Sequence, residues 1–395
     1  MEPPMSSSIL PADLLLEISA RSDPVTLVRC AATCKVLRRQ IADPAFLSQL
    51  RLRNADWFVP TLFRGLFIQN LREAEGEHPR FVVPGHSKEP SPEPLRSFLS
   101  KYTTLFEFYH PVLAARHGLV ALRCDTTPES QPAGACVFNP MTGYIHFFGP
   151  PGIKAQSFVL LTGDGGGDGP YRLLAAELSP GHLKTQAFSP AEHPRLWQVI
   201  AETAVAPCPQ DAALLHPPIV LQGDTHWLCR SVEYHFVLKF SHAQLQASVT
   251  KIDGHCGEVL RGRGPEELLL VSDGHARQPG LLVATGLDIS LWTLSGSREG
   301  GAWSKQVLVQ PESIRRPGQW SEQLELRWFG ETSGYVFVRM SGAEGASQSW
   351  YFMLELAARR ARGVCKIPPR DVLVFFPYEM DISYWRPNFT RRLHY

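Results

Sequence analysis

Four short stretches of this 395-residue chain carry residue types that could do chemistry. Gly163-Asp164-Gly165-Gly166-Gly167-Asp168-Gly169 is flexible enough to cradle a phosphate or wrap a calcium ion. It lacks the Lys-Ser/Thr pair and following helix of a phosphate loop, and the spaced carboxylates and closing Glu of a calcium loop. Asp273-Gly274-His275 sets an acid beside an imidazole, but no Gly-x-Ser-x-Gly nucleophile run accompanies it, so it reads as a turn. Cys30 and Cys34 stand one helical turn apart. Zinc takes about four ligands, and neither a CxxC nor a paired-His spacing supplies the others. They read as small apolar residues packed in a helix. Arg359-Arg360-Ala361-Arg362 reads as a solvated basic turn. No catalytic set assembles from these, and no metal or cofactor is expected.

The elements around them fall into two textures. Residues 8–54 read as three short helices. Leu10-Pro11, Asp23-Pro24 and Asp43-Pro44 mark their starts, since Pro pre-sets φ and a preceding Asp accepts free first-turn amides. Leu14 and Ile18 lie one turn apart. Leu27, Cys30 or Ala31, Cys34, Leu37 and Ile41 recur at intervals of three and four along one face, and Phe46, Leu47 and Leu50 do so on the third helix. Fewer than about fifty residues seldom bury enough surface for firm stability. With Leu15 and Leu16 beside its core stripe, the first helix is apolar over more than one face. Such a unit should want a partner.

These residues resemble the F-box family. Its pattern of Leu-Pro, a Leu-Leu pair, Glu-Ile and a later Cys-Lys stands here as Leu10-Pro11, Leu14-Leu15, Glu17-Ile18 and Cys34-Lys35-Val36-Leu37, with Leu37 where many members carry Trp. The resemblance implies docking onto the Skp-type adaptor, and through it the cullin scaffold, of a ubiquitin ligase. It points to Leu10, Pro11, Leu14, Leu15 and Ile18 as the docking residues with Lys35 at the rim, and to Leu27, Cys30, Cys34, Leu37 and Ile41 as the core.

Composition bounds the rest. Hydrophobic residues at 44% and charged residues at 19% describe an ordered globular protein. A formal charge of +1 gives no general attraction to nucleic acid or an anionic membrane. No run approaches the ~18 apolar residues of a membrane span. The start, MEPPMSSS, lacks a secretory pattern, so a cytoplasmic or nuclear location is expected. Eight cysteines are too sparse for a disulfide framework.

Residues 55–71 are strongly apolar, and Phe58, Val59, Leu62, Phe63, Leu66 and Phe67 recur near helical spacing. With the Glu/Pro/Ser-rich stretch 72–97 they form a connector and linker over 55–99. From residue 100 to 395 the chain changes. Gly118-LVALRC, Ala135-CVFNP, Tyr171-RLLAAEL, Trp197-QVIAET, Tyr234-HFVLKF, Ile289-SLWTL, Tyr335-VFVRM and Trp350-YFMLEL read as strands between turn clusters. Gly118, Gly169, Gly223, Gly280 and Gly334 precede apolar strands at intervals of 51, 54, 57 and 54 residues by their numbering. A repeat near 50 residues with several strands per unit fits a kelch-type β-propeller blade. Packed β-sandwiches are the rival.

Arg116-His117-Gly118-Leu119-Val120-Ala121-Leu122 and Phe138-Asn139-Pro140-Met141-Thr142-Gly143 resemble the opening strands of the plant F-box-associated domain. Gly223-Asp224-Thr225-His226-Trp227-Leu228, Ile289-Ser290-Leu291-Trp292 and Phe376-Pro377-Tyr378-Glu379 resemble its later landmarks. The expected fold is therefore a multidomain α+β chain, with a three-helix F-box followed by a mostly antiparallel, propeller-like β domain. The expected role is that of a non-catalytic receptor in a cullin ligase, holding an unknown target protein through the β domain. The alternative is an interaction scaffold that binds the adaptor without delivering a target.

Overall fold

The computed structural model describes residues 12–22, 24–55, 58–70, 80–82, 112–123, 134–140, 144–162, 171–191, 196–273, 278–295, 302–309, 320–342, 349–367 and 373–381. Leu10, Pro11, the glycine-rich stretch 163–169 and Gly274-His275 lie outside them.

Four helices, not three, open the fold: α1 (Ala12–Ala20), α2 (Pro24–Thr33), α3 (Lys35–Ile41) and α4 (Pro44–Ala55). The helix expected to run unbroken from Pro24 to Ile41 is interrupted at Cys34, whose backbone is extended at φ −133° and ψ 123°. The break is stabilised by Arg38. Its Nε donates to the Ala31 carbonyl at 2.8 Å and its Nη2 to the Ala32 carbonyl at 3.3 Å, serving oxygens that lie at the end of α2. Asp43 accepts the Ala45 amide at 2.8 Å and so caps α4. Leu27, Ala31, Ile41, Phe46, Leu47 and Leu50 are buried between the helices. Cys30 and Leu37 pack partly buried against them, and Cys34 is half-buried at the break.

Residues 55–71 depart from their helical spacing. Pro60–Leu62 makes one 3-10 turn, and Phe63–Asn70 is a strand, β1. Gly65, Leu66 and Phe67 are all buried, so this strand is covered on both faces. An apolar run without alternation cannot be told from a helix by period alone. β1 pairs antiparallel with β2 (Arg80–Val82) on one side and on the other with β23 (Leu373–Glu379), some three hundred residues later in the chain.

The remaining strands form five four-stranded antiparallel meanders. The first comprises β3 (Val112–Arg116), β4 (Leu119–Arg123), β5 (Ala135–Asn139) and β6 (Tyr144–Phe148). The second comprises β7 (Ser157–Leu161), β8 (Arg172–Ser179), β9 (His182–Phe188) and β10 (Gln198–Ala204). The third comprises β11 (Ala213–Leu221), β12 (Asp224–Arg230), β13 (His235–Ser241) and β14 (Gln246–Lys251), and is followed by helix α5 (Gly254–Leu260). The fourth comprises β15 (Leu268–Ser272), β16 (Pro279–Thr285), β17 (Asp288–Ser295) and β18 (Ala302–Val309). The fifth comprises β19 (Trp320–Phe329), β20 (Tyr335–Gly342), β21 (Ser349–Glu355) and β22 (Arg360–Ile367).

Neighbouring meanders meet through their first strands. β3 lies beside β7, β7 beside β11, β11 beside β15 and β15 beside β19. β23 stands between β19 and β3, so the three-stranded sheet joins the two ends of the chain's β region and completes a ring. This is a propeller-like ring of blades and not a pair of packed sandwiches. Burial follows radius. β4 and β5 are buried almost throughout because blades cover both their faces, whereas the outer strands β10 and β14 alternate between half-covered and exposed residues. Three of the repeating glycines, Gly118, Gly223 and Gly334, sit at φ of 85°, 81° and 71° in the turn after a blade's first strand. His117 and Gln222 precede two of them, also at positive φ, which builds the tight hairpin turns that match strand twist. Gly280 lies instead within β16.

Candidate docking surfaces

The faces of α1 separate cleanly. Leu16 and Ala20 pack into the helical core, Ser19 is buried, and Leu15 is half-buried. Leu14 and Ile18 are 51% and 53% exposed. Lys35 is exposed at the start of α3, and Val36 beside it is 58% exposed, a residue that core periodicity gave no reason to single out. Glu17 and Arg21 form an exposed pair at 2.8 Å along the same helix. Two aliphatic side chains a turn apart and facing water, on a helix whose opposite face is sealed, form an unpartnered apolar strip. The helical core and the first and closing blades share one apolar cluster, running from Leu27 and Leu50 to Phe67, Val120, Phe138 and Tyr378.

The ends of the inner strands converge at one mouth of the ring. Arg116, closing β3, pairs with Glu331 just beyond β19 at 2.9 Å. The second Glu331 oxygen accepts the Val220 amide of β11 at 3.0 Å. His117 Nδ1 meets Thr162 Oγ1, beyond β7, at 2.5 Å. Glu379, the last residue of β23, is fully enclosed and accepts the amides of Ser333 at 2.7 Å and Thr332 at 3.1 Å. Burial pushes its carboxyl above the usual range against the pull of those amides. Acid groups therefore do gather on the axis, but they are committed to amides and to a guanidinium. The cavity they line with Ala114, Leu160, Ile219, Leu270 and Trp328 is about 60 Å³, room for a few waters only. It serves to tie blades together.

The chain arrives from the helices at this same mouth. The Val59 amide donates to the Thr332 carbonyl at 2.8 Å, the Met380 amide to the Leu62 carbonyl at 2.8 Å, and Phe58 packs edge-on against Phe329 at 5.9 Å.

The buried thiols are poor nucleophiles: burial pushes Cys256 up to about 12 and Cys229 well above its ordinary value. Among the described residues no group of three or more His, Cys, Asp or Glu is placed to hold a metal. Among them too, no helix is long and apolar enough to cross a membrane. Arg359, at a positive φ of 51°, lies in the turn between β21 and β22, and Arg360 opens β22.

Residues 7–49 match the F-box domain. No curated protein matches the chain. Among solved structures it is similar to a Lactobacillus plantarum protein at 12% identity and a TM-score of 0.39, over 78% of this chain and 84% of that one. It is also similar to the β-propeller domain of the Trilobed protease from Pyrococcus furiosus at 8% identity and a TM-score of 0.34, over 65% and 70%. TM-scores this low give these likenesses no weight. Residues 81–368, well over half of the chain, match the family described as Domain of unknown function (DUF7595), in place of the F-box-associated domain that the sequence resembles, and the chain belongs to that family.

Proposed function

We propose that the protein is a substrate receptor of a cullin-based ubiquitin ligase. Its helices dock a Skp-type adaptor, and its ring of blades holds a target protein. The observation that carries this reading is the exposure of Leu14 and Ile18 on a helix whose other face is already sealed. The F-box match over residues 7–49 supports the identity of the adaptor. Leu15, Leu10, Pro11 and Lys35 belong to the same proposed surface, with Val36 added. A protein interface of standard size buries about 1,600 Å² in total, and a few central apolar anchors dominate its energy. The receptor transfers no group itself. It raises the concentration of target lysines near a charged ubiquitin carrier, which is rate enhancement by proximity. A cytoplasmic or nuclear location, a plant source and a kinship with kelch-type propellers complete the proposal.

The test is the double variant Leu14→Asp/Ile18→Asp. Both side chains face water, so unfolding should shift by no more than about 0.5 kcal/mol each, while adaptor co-purification should be lost. Adaptor recovery equal to wild type would place the docking surface elsewhere. With the wild-type chain, proteasome inhibition should cause a ubiquitinated partner to accumulate, which a non-degradative scaffold would not.

A further inference from the structure

At the mouth opposite the one the helices feed, blade 3 frames a groove of about 1010 Å³. Its walls are Asp211 before β11, the β12–β13 turn at Ser231–Tyr234, and the segment from Ile252 through α5 to Gly264. All three belong to the ends where β11 and β15 begin, whereas Phe58–Leu62 joins the ring where β19 and β23 end.

The β12–β13 turn is held rigidly. Ser231 Oγ donates to the Tyr234 carbonyl at 3.0 Å and accepts the Tyr234 amide at 3.1 Å. Asp211 Oδ2 accepts the Val232 amide at 2.5 Å. The residue so displayed, Val232, is 91% exposed. A pinned turn holding an aliphatic side chain in water is a preformed contact with little ordering entropy left to lose. Beside it Lys251 Nζ lies 4.5 Å from the Tyr234 ring centre.

The floor is polar. His235 is only 8% exposed, and its buried Nε2 has no hydrogen-bond partner. A buried polar atom left so costs about 1–3 kcal/mol until something satisfies it. Arg230 stands directly opposite His235 across the β12–β13 pair, so the two side chains share one face of the sheet. The rim charges offset one another. Arg263 is paired with Glu267 at 2.8 Å, and Lys251 and Arg261 line the groove together with Glu233, Asp253 and Glu258. The rim charges largely cancel, so Arg230, exposed and in no ion pair among the described residues, sets the preference for an acid.

We infer that this groove is the target-docking site, and that it takes an extended peptide segment with an acidic side chain next to an apolar one. The carboxylate meets the exposed Arg230, and the apolar group covers Val232 against Tyr234. This deepens the receptor reading and rests on it.

The probe is a displayed library of random twelve-residue peptides panned on the full chain. Enriched sequences should carry Asp or Glu beside an apolar residue. Arg230→Glu and Val232→Asp, both at exposed positions, should each weaken the selected peptides by about tenfold or more. Phe147→Ser, at an exposed position on β6 of the first blade, should leave them unchanged. No enrichment, enrichment of basic or purely apolar sequences, or binding indifferent to Arg230→Glu and Val232→Asp would each overturn the assignment. Adaptor co-purification on the same preparations keeps the two readings apart. Peptide binding without adaptor sinks the receptor reading, and adaptor binding without peptide sinks the groove.

Discussion

Burial at single residues gives this protein an acid-sensitive fold. His226 is buried, and enclosure, with the Lys239 ammonium adding to it, lowers its pKa to about 4. His242, bonded to Thr225 Oγ1 at 2.8 Å, is lowered to about 4 by the same enclosure. Both imidazoles are neutral in the folded chain but protonate near 6.5 once unfolded. Above that pH the two states bind equal protons. Below it the unfolded chain takes protons that the folded chain refuses, so stability falls from about pH 6.5 and has lost its full share by about pH 4. Each histidine accounts for about 3 kcal/mol at that limit. Urea midpoints measured from pH 7.5 to 4 should drop through this window, and His226→Gln should make the drop shallower. A flat profile from pH 7 to 5 would contradict the neutral burial of both rings.

Gly334 is a second residue on which the fold leans. It sits at φ 71°, and a Cβ there would overlap the ring of Phe58. Gly334→Ala should therefore cost about 2 kcal/mol or more, combining backbone strain with overpacking. Adding Phe58→Ala should relieve the overlap but not the strain, so in calorimetry the double variant should lose less than the sum of its parts.

At the scale of elements, the joint between α2 and α3 depends on Arg38 serving two carbonyls of the preceding helix. Arg38→Ala should cost about 1–2 kcal/mol and speed amide exchange across α3. Unchanged exchange would mean that the break at Cys34 is held by other contacts. The Asp-Pro starts of α2 and α4 are local chemistry and are readable residue by residue. The break is not, because an unbroken three-and-four spacing runs straight through Cys34. β1 shows the complementary case. Phe63–Asn70 is apolar on both faces because a strand from the far end of the chain lies beside it, and nothing near it in sequence announces that neighbour. The eight stretches that read as strands all form strands, since β-branched and aromatic runs between turn residues are themselves local signals.

At the scale of the whole molecule, the ring is closed by strands from both ends of the β region. Removing residues 373–395 should strip β1 of its main partner and uncover the flanks of β3 and β19. The product should lose its cooperative thermal transition or aggregate. Removing residues 1–57 instead leaves every strand in place but uncovers the shared apolar cluster, so melting should stay cooperative with a lowered midpoint. A soluble 373–395 deletion that melts like the full chain would show that β23 is dispensable to the ring. The apolar strip on α1 and the groove on blade 3 are separate surfaces of one chain. One is proposed for the adaptor and the other for the target.

Read alone, the sequence determined the starts of α2 and α4, the apolar strip that includes Leu14 and Ile18, the β texture after residue 100 and the roughly 50-residue repeat. Each of these is written in residues within one turn, one strand or one blade of each other. Tertiary structure alone decided that Glu331 joins three strands, that β1 and β23 complete the ring, and that Arg230, His235 and Val232 share a groove with α5. Those facts depend on contacts between distant segments. Hydrophobic burial is non-directional, so an apolar run records that it will be covered without recording by what.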